Sequence, residues 1–242
     1  MNFVEDCFKS LSDLGVQIQQ AEERHRKEFL SQESPAYNNA RIMIDGLVSS
    51  IFLKADEPIK LITPEGEYQL LIGASFVRTH LLLDGIILNG HIVDSHCLLR
   101  KQLEQLARLQ ELESQTVDKL KKKTPNIKNA GDGSGPVYGA QSEVAHFSLP
   151  EVGYSLLATL SCGTHSRVTA QPSFTRNSVF AMNSRLFIGV KFAAWFIARL
   201  IRWYPEKNFE SLQKQFCAAV ECAVEAKIIT KNEHWLDAGK QP

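Results

Sequence analysis

Apolar residues recur at three- and four-residue steps through most of this 242-residue chain, and the runs are cut only at a few Pro, Gly and Asn positions. That spacing follows the 3.6-residue helical period and not the two-residue period of a strand. A chain patterned this way must bury helical stripes against one another, which confines it to an all-α helical bundle.

The punctuation divides the pattern into elements. A first helix is expected over 2–33, on a stripe of Val4, Phe8, Leu11, Gly15 and Ile18, with a charged, solvated tail from Glu22 to Glu28. Ser34-Pro35 ends it, and a second helix spans 36–54 before a break at Asp56-Glu57-Pro58. Thr63-Pro64-Glu65 combines a capping hydroxyl, a proline in the first turn and an acid near the positive dipole end. A hairpin over 59–72 competes with this helix start, but helical spacing continues to Leu88. Asn89-Gly90 is a stop. A long central helix is expected from 91 to 122, on Ile92, Leu99, Leu103, Leu106 and Leu109, closing on Lys121, Lys122 and Lys123. A flexible loop follows at 124–136, then a short helix from Val137 to His146 and another from Pro150 to about Cys162. Residues 164–182, rich in Thr, Ser, Val and Phe around Pro172, read as a hairpin or irregular segment. Two more helices, 183–203 and 207–227, are separated by Tyr204-Pro205, and the polar tail beyond Thr230 is expected to fray. No repeat or linker divides the chain. The expectation is a single helical domain over 1–242 with its core at about 36–227, built from about seven helices, four of them central.

Composition excludes several function classes. Lys+Arg and Asp+Glu both total 27, so the chain lacks the basic excess of a general nucleic-acid binder. The five cysteines are odd in number and contain no Cys-x-x-Cys pair, which fits reduced thiols in a reducing compartment. The first residues lack a basic and then apolar leader. The apolar run from Leu186 to Ile201 is interrupted by Lys191 and Arg199 and is too short to cross a bilayer. A cytoplasmic protein without a membrane partner is expected.

Two polar groupings stand out. Arg100-x-x-x-Glu104 places both side chains on one face of the long helix, beside its leucine stripe. Tyr138, Ser142, Glu143 and His146 follow on a later helix, with Ser142 and His146 sharing a face. Arg, Glu and His at the edge of a core satisfy one another by charge-assisted hydrogen bonds, either as a structural clamp between helices or as a ligand pocket. Glu-x-x-His also occurs twice, at Glu22/His25 and Glu143/His146, and such pairs with two further carboxylates hold two metal ions in some four-helix cores. Glu104 is a third carboxylate; the fourth is lacking, since the neighbouring helices supply only Asp45 and Asp84. The five-residue steps His91/His96 and Cys217/Cys222 suit no chelating face. No phosphate loop follows the lysine run and no Gly-x-Ser-x-Gly elbow is present, so no cofactor is expected.

The order of an Arg-x-x-x-Glu core helix, a loop and a Tyr-x-x-x-Ser-Glu-x-x-His helix resembles a group of bacterial helical-bundle domains distantly similar to the HEPN superfamily, over about residues 67–200. HEPN relatives include nucleotide-binding proteins and metal-independent ribonucleases, and many are toxins or effectors of defence against phage, so the resemblance implies a role in bacterial stress or phage defence. Those ribonucleases use Arg-x(4–6)-His, the Arg steadying phosphate and the His acting as acid or base. No arginine from Arg24 to Arg202 has a histidine at that spacing here; a rearranged pair would be Arg100 and His146. The sequence thus points to a protein that binds a partner or small ligand at Arg100, Glu104, Tyr138, Ser142 and His146. The alternatives are a HEPN-like ribonuclease or nucleotide-modifying enzyme using His146, Arg100 and Glu104 on RNA or a nucleotide, and a di-metal bundle. Phe187, Phe192, Trp195, Phe196 and Trp203 lie on several faces of one helix, which makes that helix either central or the face of a homodimer.

Overall fold

A computed structural model describes residues 3–55, 63–146, 148, 150–160 and 166–230. The expected break at Asp56–Pro58, the Cys162 thiol and the polar tail beyond Thr230 lie outside these residues. The chain is an all-α bundle. Its elements are α1 (Phe3–Gln32), α2 (Pro35–Lys54), α3 (Pro64–Leu88), α4 (Ile92–Glu111), the one-turn α5 (Val117–Leu120), a 3-10 turn (Ile127–Ala130), α6 (Ser134–His146), α7 (Pro150–Leu157), the strand pair β1 (Ala158–Leu160) and β2 (Ser166–Val168), α8 (Arg176–Trp203) and α9 (Glu210–Glu225).

The helix starts follow local chemistry. Ser34 Oγ accepts from the Tyr37 amide and Thr63 Oγ1 from the Gly66 amide, with proline in the first turn of both helices. The helical reading of 64–88 therefore holds over the hairpin. By length and composition α3 could also cross a membrane. One face of it, however, is packed in the bundle and buries Gln69, Thr79 and His80 among its apolar groups.

Two helices share the centre of the molecule, the expected one beginning at 91, here α4, and α8. α8 packs against α2, α3, α4 and α9, and buries Met182, Leu186, Ile188, Val190, Phe192, Phe196 and Leu200. Phe192 stacks on Phe76 of α3 with ring centroids 4.0 Å apart. Close approach of α3 and α8 depends on Gly73, where a Cβ would stand 2.7 Å from the Phe196 ring. Phe192, Trp195 and Phe196 are buried in the core, whereas Phe187 and Trp203 are half-buried.

Four boundaries differ from expectation, each for a physical reason. α4 stops at Glu111, because Glu113 turns toward α8. Its carboxylate accepts from Trp195 Nε1 at 3.1 Å and Gln69 Nε2 at 3.2 Å, and pairs with Arg199. The segment expected to be a flexible loop contains the 3-10 turn and is held by Glu111, which accepts from the Asn126 amide at 2.7 Å and Asn129 Nδ2 at 3.2 Å. The helix expected to reach Cys162 ends at Leu157 and gives way to an antiparallel pairing of Ala158 with Val168. The hairpin lies upstream of where composition placed it, and 176–182 belongs to α8. Thr175 and Ser178 form a reciprocal capping box there, and Ser178, Ala181 and Met182 are buried.

α1 reverses the expected burial. Its apolar stripe is in solvent, with Phe8 68% and Leu11 69% exposed. The charged tail is the docked part, through Ala21, His25 and Phe29 at four-residue steps. His25 Nδ1 donates to the Leu88 carbonyl at 2.8 Å, and Nε2 accepts from Ser178 Oγ at 2.9 Å. Glu22 bonds His91 at 2.8 Å and Arg26 donates to Asn89 at 2.7 Å. All of this meets the turn at Gly90, whose φ of 83° and absent Cβ admit the His25 ring and Pro172.

Candidate functional site

Arg100 and Glu104 leave α4 one turn apart, and Tyr138 and His146 leave the facing side of α6 two turns apart. Their side chains meet. Arg100 Nε is 3.0 Å from Glu104 Oε1 and 3.1 Å from the Tyr138 hydroxyl oxygen. The Tyr138 hydroxyl donates to the same Glu104 oxygen at 2.9 Å, closing a triangle. The guanidinium carbon lies 5.2 Å from the Tyr138 ring centroid. Arg100 NH1 contacts His146 Nε2. A guanidinium only donates, so in this contact Nε2 is the acceptor and the imidazole proton is on Nδ1.

This cluster is at the edge of the core. The Arg100 and Glu104 side chains are 25% and 28% exposed, and His146 is exposed. Glu104 also lines a cleft of about 410 Å³ between α3 and α4, together with Tyr68, Leu71, Ser75, Lys101 and Arg108. Burial, and after it the Glu104 carboxylate, raises the Tyr138 phenol above its ordinary range, so it stays a neutral donor. Ser142, expected in the cluster, is half-buried on the same helix and joins none of these bonds.

Directly behind the cluster, one turn earlier on α4, His96 is buried beside Gln141 of α6. The ring nitrogens of His96 and both amide atoms of Gln141 lack a hydrogen bond of good geometry. Burial holds the His96 pKa at about 4, and the ring stacks on Phe180. The seam between α4 and α6 is thus polar from His96 to Glu104.

A second constellation escaped the sequence reading. Arg185 of α8 is fully buried and donates to Asp45 of α2 at 2.7 Å and to the His80 carbonyl of α3 at 3.0 Å, with Asp84 at 3.4 Å. His80 donates Nε2–H to the same Asp45 oxygen at 2.9 Å. Burial, reinforced by the Arg185 charge, lowers the His80 pKa to about 4, so the ring is neutral. Against its own burial, the bond from His80 and the Arg185 charge hold the Asp45 carboxyl below its usual value. This group ties three helices together. Its only sequence signals were an arginine and a histidine within apolar helices.

The Glu-x-x-His residues do not assemble. His25 is engaged with Leu88 and Ser178, Glu22 with His91, and His146 with Arg100. Among the described residues no three His, Cys, Asp or Glu side chains gather as a metal site. Comparison of the chain with known protein families, curated proteins and solved structures returned no match.

Proposed function

We propose that the seam between α4 and α6 binds a small anionic ligand, a phosphate ester or a carboxylate, on Arg100 and His146. The observation that supports this reading is a partly exposed guanidinium held in a fixed orientation beside a histidine. Glu104 and Tyr138 engage Arg100 through Nε and His146 meets NH1, so an oxyanion would be taken between the guanidinium and the imidazole in place of their mutual contact. Lys101, on the adjoining cleft, adds positive charge.

The distantly HEPN-like resemblance gives a second reading, favoured by the Arg100–His146 contact, in which the same pair cleaves RNA. The phosphate replaces His146 on Arg100 NH1, the freed His146 Nε2 takes the proton of a 2′-hydroxyl, the 2′-oxygen attacks phosphorus, and the 5′-oxygen leaves with a proton from solvent while Arg100 steadies the phosphoryl oxygens.

One set of variants tests both. Inorganic phosphate, nucleoside monophosphates and dicarboxylates are titrated while the melting temperature is followed. A ligand at a hundred times its Kd stabilises the fold by about 2.7 kcal/mol. That gain is expected in the wild type and lost in Arg100→Ala and His146→Ala. Water reaches this partly exposed cluster, and the Tyr138–Glu104 bond survives the loss of Arg100, so Arg100→Ala should cost the unliganded fold only about 1 kcal/mol. If no anion shifts the wild type and Arg100→Ala simply melts earlier, the cluster is a helix clamp and the site does not exist. Metal-independent RNA cleavage abolished by His146→Ala would select the second reading.

A further inference from the structure

Residues 3–16 of α1 are exposed around the whole circumference of the helix, so about four turns, roughly 21 Å, stand clear of the body before Gln17 accepts from Gln171. Phe3 is 79% exposed, and Val4, Leu14 and Val16 are exposed with it. A lone helix of this length is marginal in water, and contiguous apolar exposure marks an interaction surface.

The pattern says what covers it. Val4, Phe8, Leu11, Gly15 and Ile18 step by four, three, four and three, the narrow seam of a two-stranded coiled coil. With Phe8 and Gly15 at position a, and Val4, Leu11 and Ile18 at d, Cys7 and Leu14 fall at g while Glu5 and Ser12 fall at e. Only the g flank is apolar. Parallel helices set each g flank against an e flank, whereas antiparallel helices set g against g. The geometry points to a second copy of this chain as the occupant, its arm lying antiparallel so that Phe8 meets the second copy's Leu11, Val4 meets its Gly15 and Cys7 lies beside its Leu14.

Charge argues against more strongly anionic occupants, and space against a parallel pair. The arm carries Glu5, Asp6 and Asp13 against Lys9, net −2 (one positive less three negative), so an anionic lipid surface or a nucleic acid repels it. A parallel pair would stack Glu5 and Asp6 of both copies and bring two bodies to the same end of arms only about 8–10 Å apart. An antiparallel pair puts the bodies at opposite ends. Phe3 falls at position c and faces away from the seam, so at about 150 Å² per phenylalanine the two Phe8 rings supply about 300 Å². That is about a quarter of the roughly 1,200 Å² at which specific interfaces begin. Val4, Cys7, Leu11 and Leu14 of both arms add to it, so the dimer is a modest one that depends on concentration.

Sedimentation of the full chain across the micromolar range tests this. The mass should double with rising concentration, and Phe8→Asp and Leu11→Asp should each keep it monomeric without altering the melt of the body, because both residues are on the surface. Mild oxidation should crosslink the Leu14→Cys chain and fail once Cys7→Ser is added. A wild type that is monomeric at every concentration, or a dimer that survives both aspartates, overturns the proposal. Crosslinking of Leu14→Cys that persists without Cys7 overturns the antiparallel register. Binding of the monomer to phosphatidylserine vesicles, lost in the same aspartate variants, would assign the arm to a membrane instead.

Discussion

At the scale of single residues, the two histidines inside the bundle make stability depend on pH. His80 and His96 are buried among α2, α3, α4, α6 and α8, and each has a pKa of about 4 against the ordinary 6.5. Folding therefore excludes a proton that the unfolded chain binds below about 6.5. Stability is full at neutral pH, falls as pH drops from 6.5 toward 4, and levels where the folded rings also protonate. Each ring accounts for a loss on the order of 3 kcal/mol over that window. Urea unfolding at neutral pH and near the bottom of the window should show the decline, and His96→Leu should remove part of it, the rest belonging to His80 and to His25, which burial also holds below its ordinary value. A flat profile would mean that neither ring is excluded from water. The two histidines differ in one respect. His80 has a carboxylate partner, whereas the polar atoms of His96 and Gln141 are left without good hydrogen bonds on the seam behind Arg100. A buried seam of that kind is costly to the fold.

Among the elements, those whose start is written in cap chemistry were legible. α2 and α3 begin at Ser34-Pro35 and Thr63-Pro64, where hydroxyl and proline agree. α8 begins with an equally good cap, but its third residue is Ser178 and not Glu or Gln, and the surrounding Thr, Ser and Phe mimic a strand. Thr175→Val tests whether that cap sets the start of α8. Losing the Thr175 Oγ1 bond to the Asn177 amide should cost about 1 kcal/mol, or about 2–4 °C in Tm for a chain of this size, and Thr175→Ser should restore it. An unchanged melt in Thr175→Val would show that packing alone fixes this end. α1 was misread for another reason. Apolar periodicity assumes that the apolar stripe is the buried one, yet the docked positions of α1 are Ala21, His25 and Phe29, and the central one is polar. Beside the burial of Ala21 and Phe29, this docking uses the hydrogen bonds of His25, Glu22 and Arg26, which a hydropathy pattern does not carry. The Arg100–Glu104 pair was legible because both residues lie on one helix at a fixed spacing. Its meeting with Tyr138 and His146 followed once two helices of matching polarity were packed face to face.

Across the whole molecule, contacts between distant positions decide which helices are central, and these leave the weakest trace in a sequence. Asp45, His80 and Arg185 come from three helices and lie 35 to 140 residues apart. Nothing at any one of them announces the other two, and Arg185, following Asn183 and Ser184, reads as one more polar position just before an apolar run. In the fold it is the fully buried side chain on which α2, α3 and α8 converge, satisfied by Asp45, Asp84, the His80 carbonyl and Met182 Sδ. Removing one partner of a buried ion pair costs about 3–5 kcal/mol, because the surviving charge stays behind. The Asp45 and Asp84 side chains are about a quarter exposed, so water reaches the carboxylates and the lower end of that range applies to Arg185→Met. At about 2–4 °C per kcal/mol, the expected fall in Tm is about 10 °C. Asp45→Asn in the same chain removes the stranded charge and should return part of the loss. The Arg185 charge also helps to depress the His80 pKa, so Arg185→Met should raise it and make the acid-induced loss of stability shallower. If Arg185→Met melts with the wild type and leaves the pH profile unchanged, the three helices are held by apolar packing alone and the ion network is incidental to the fold.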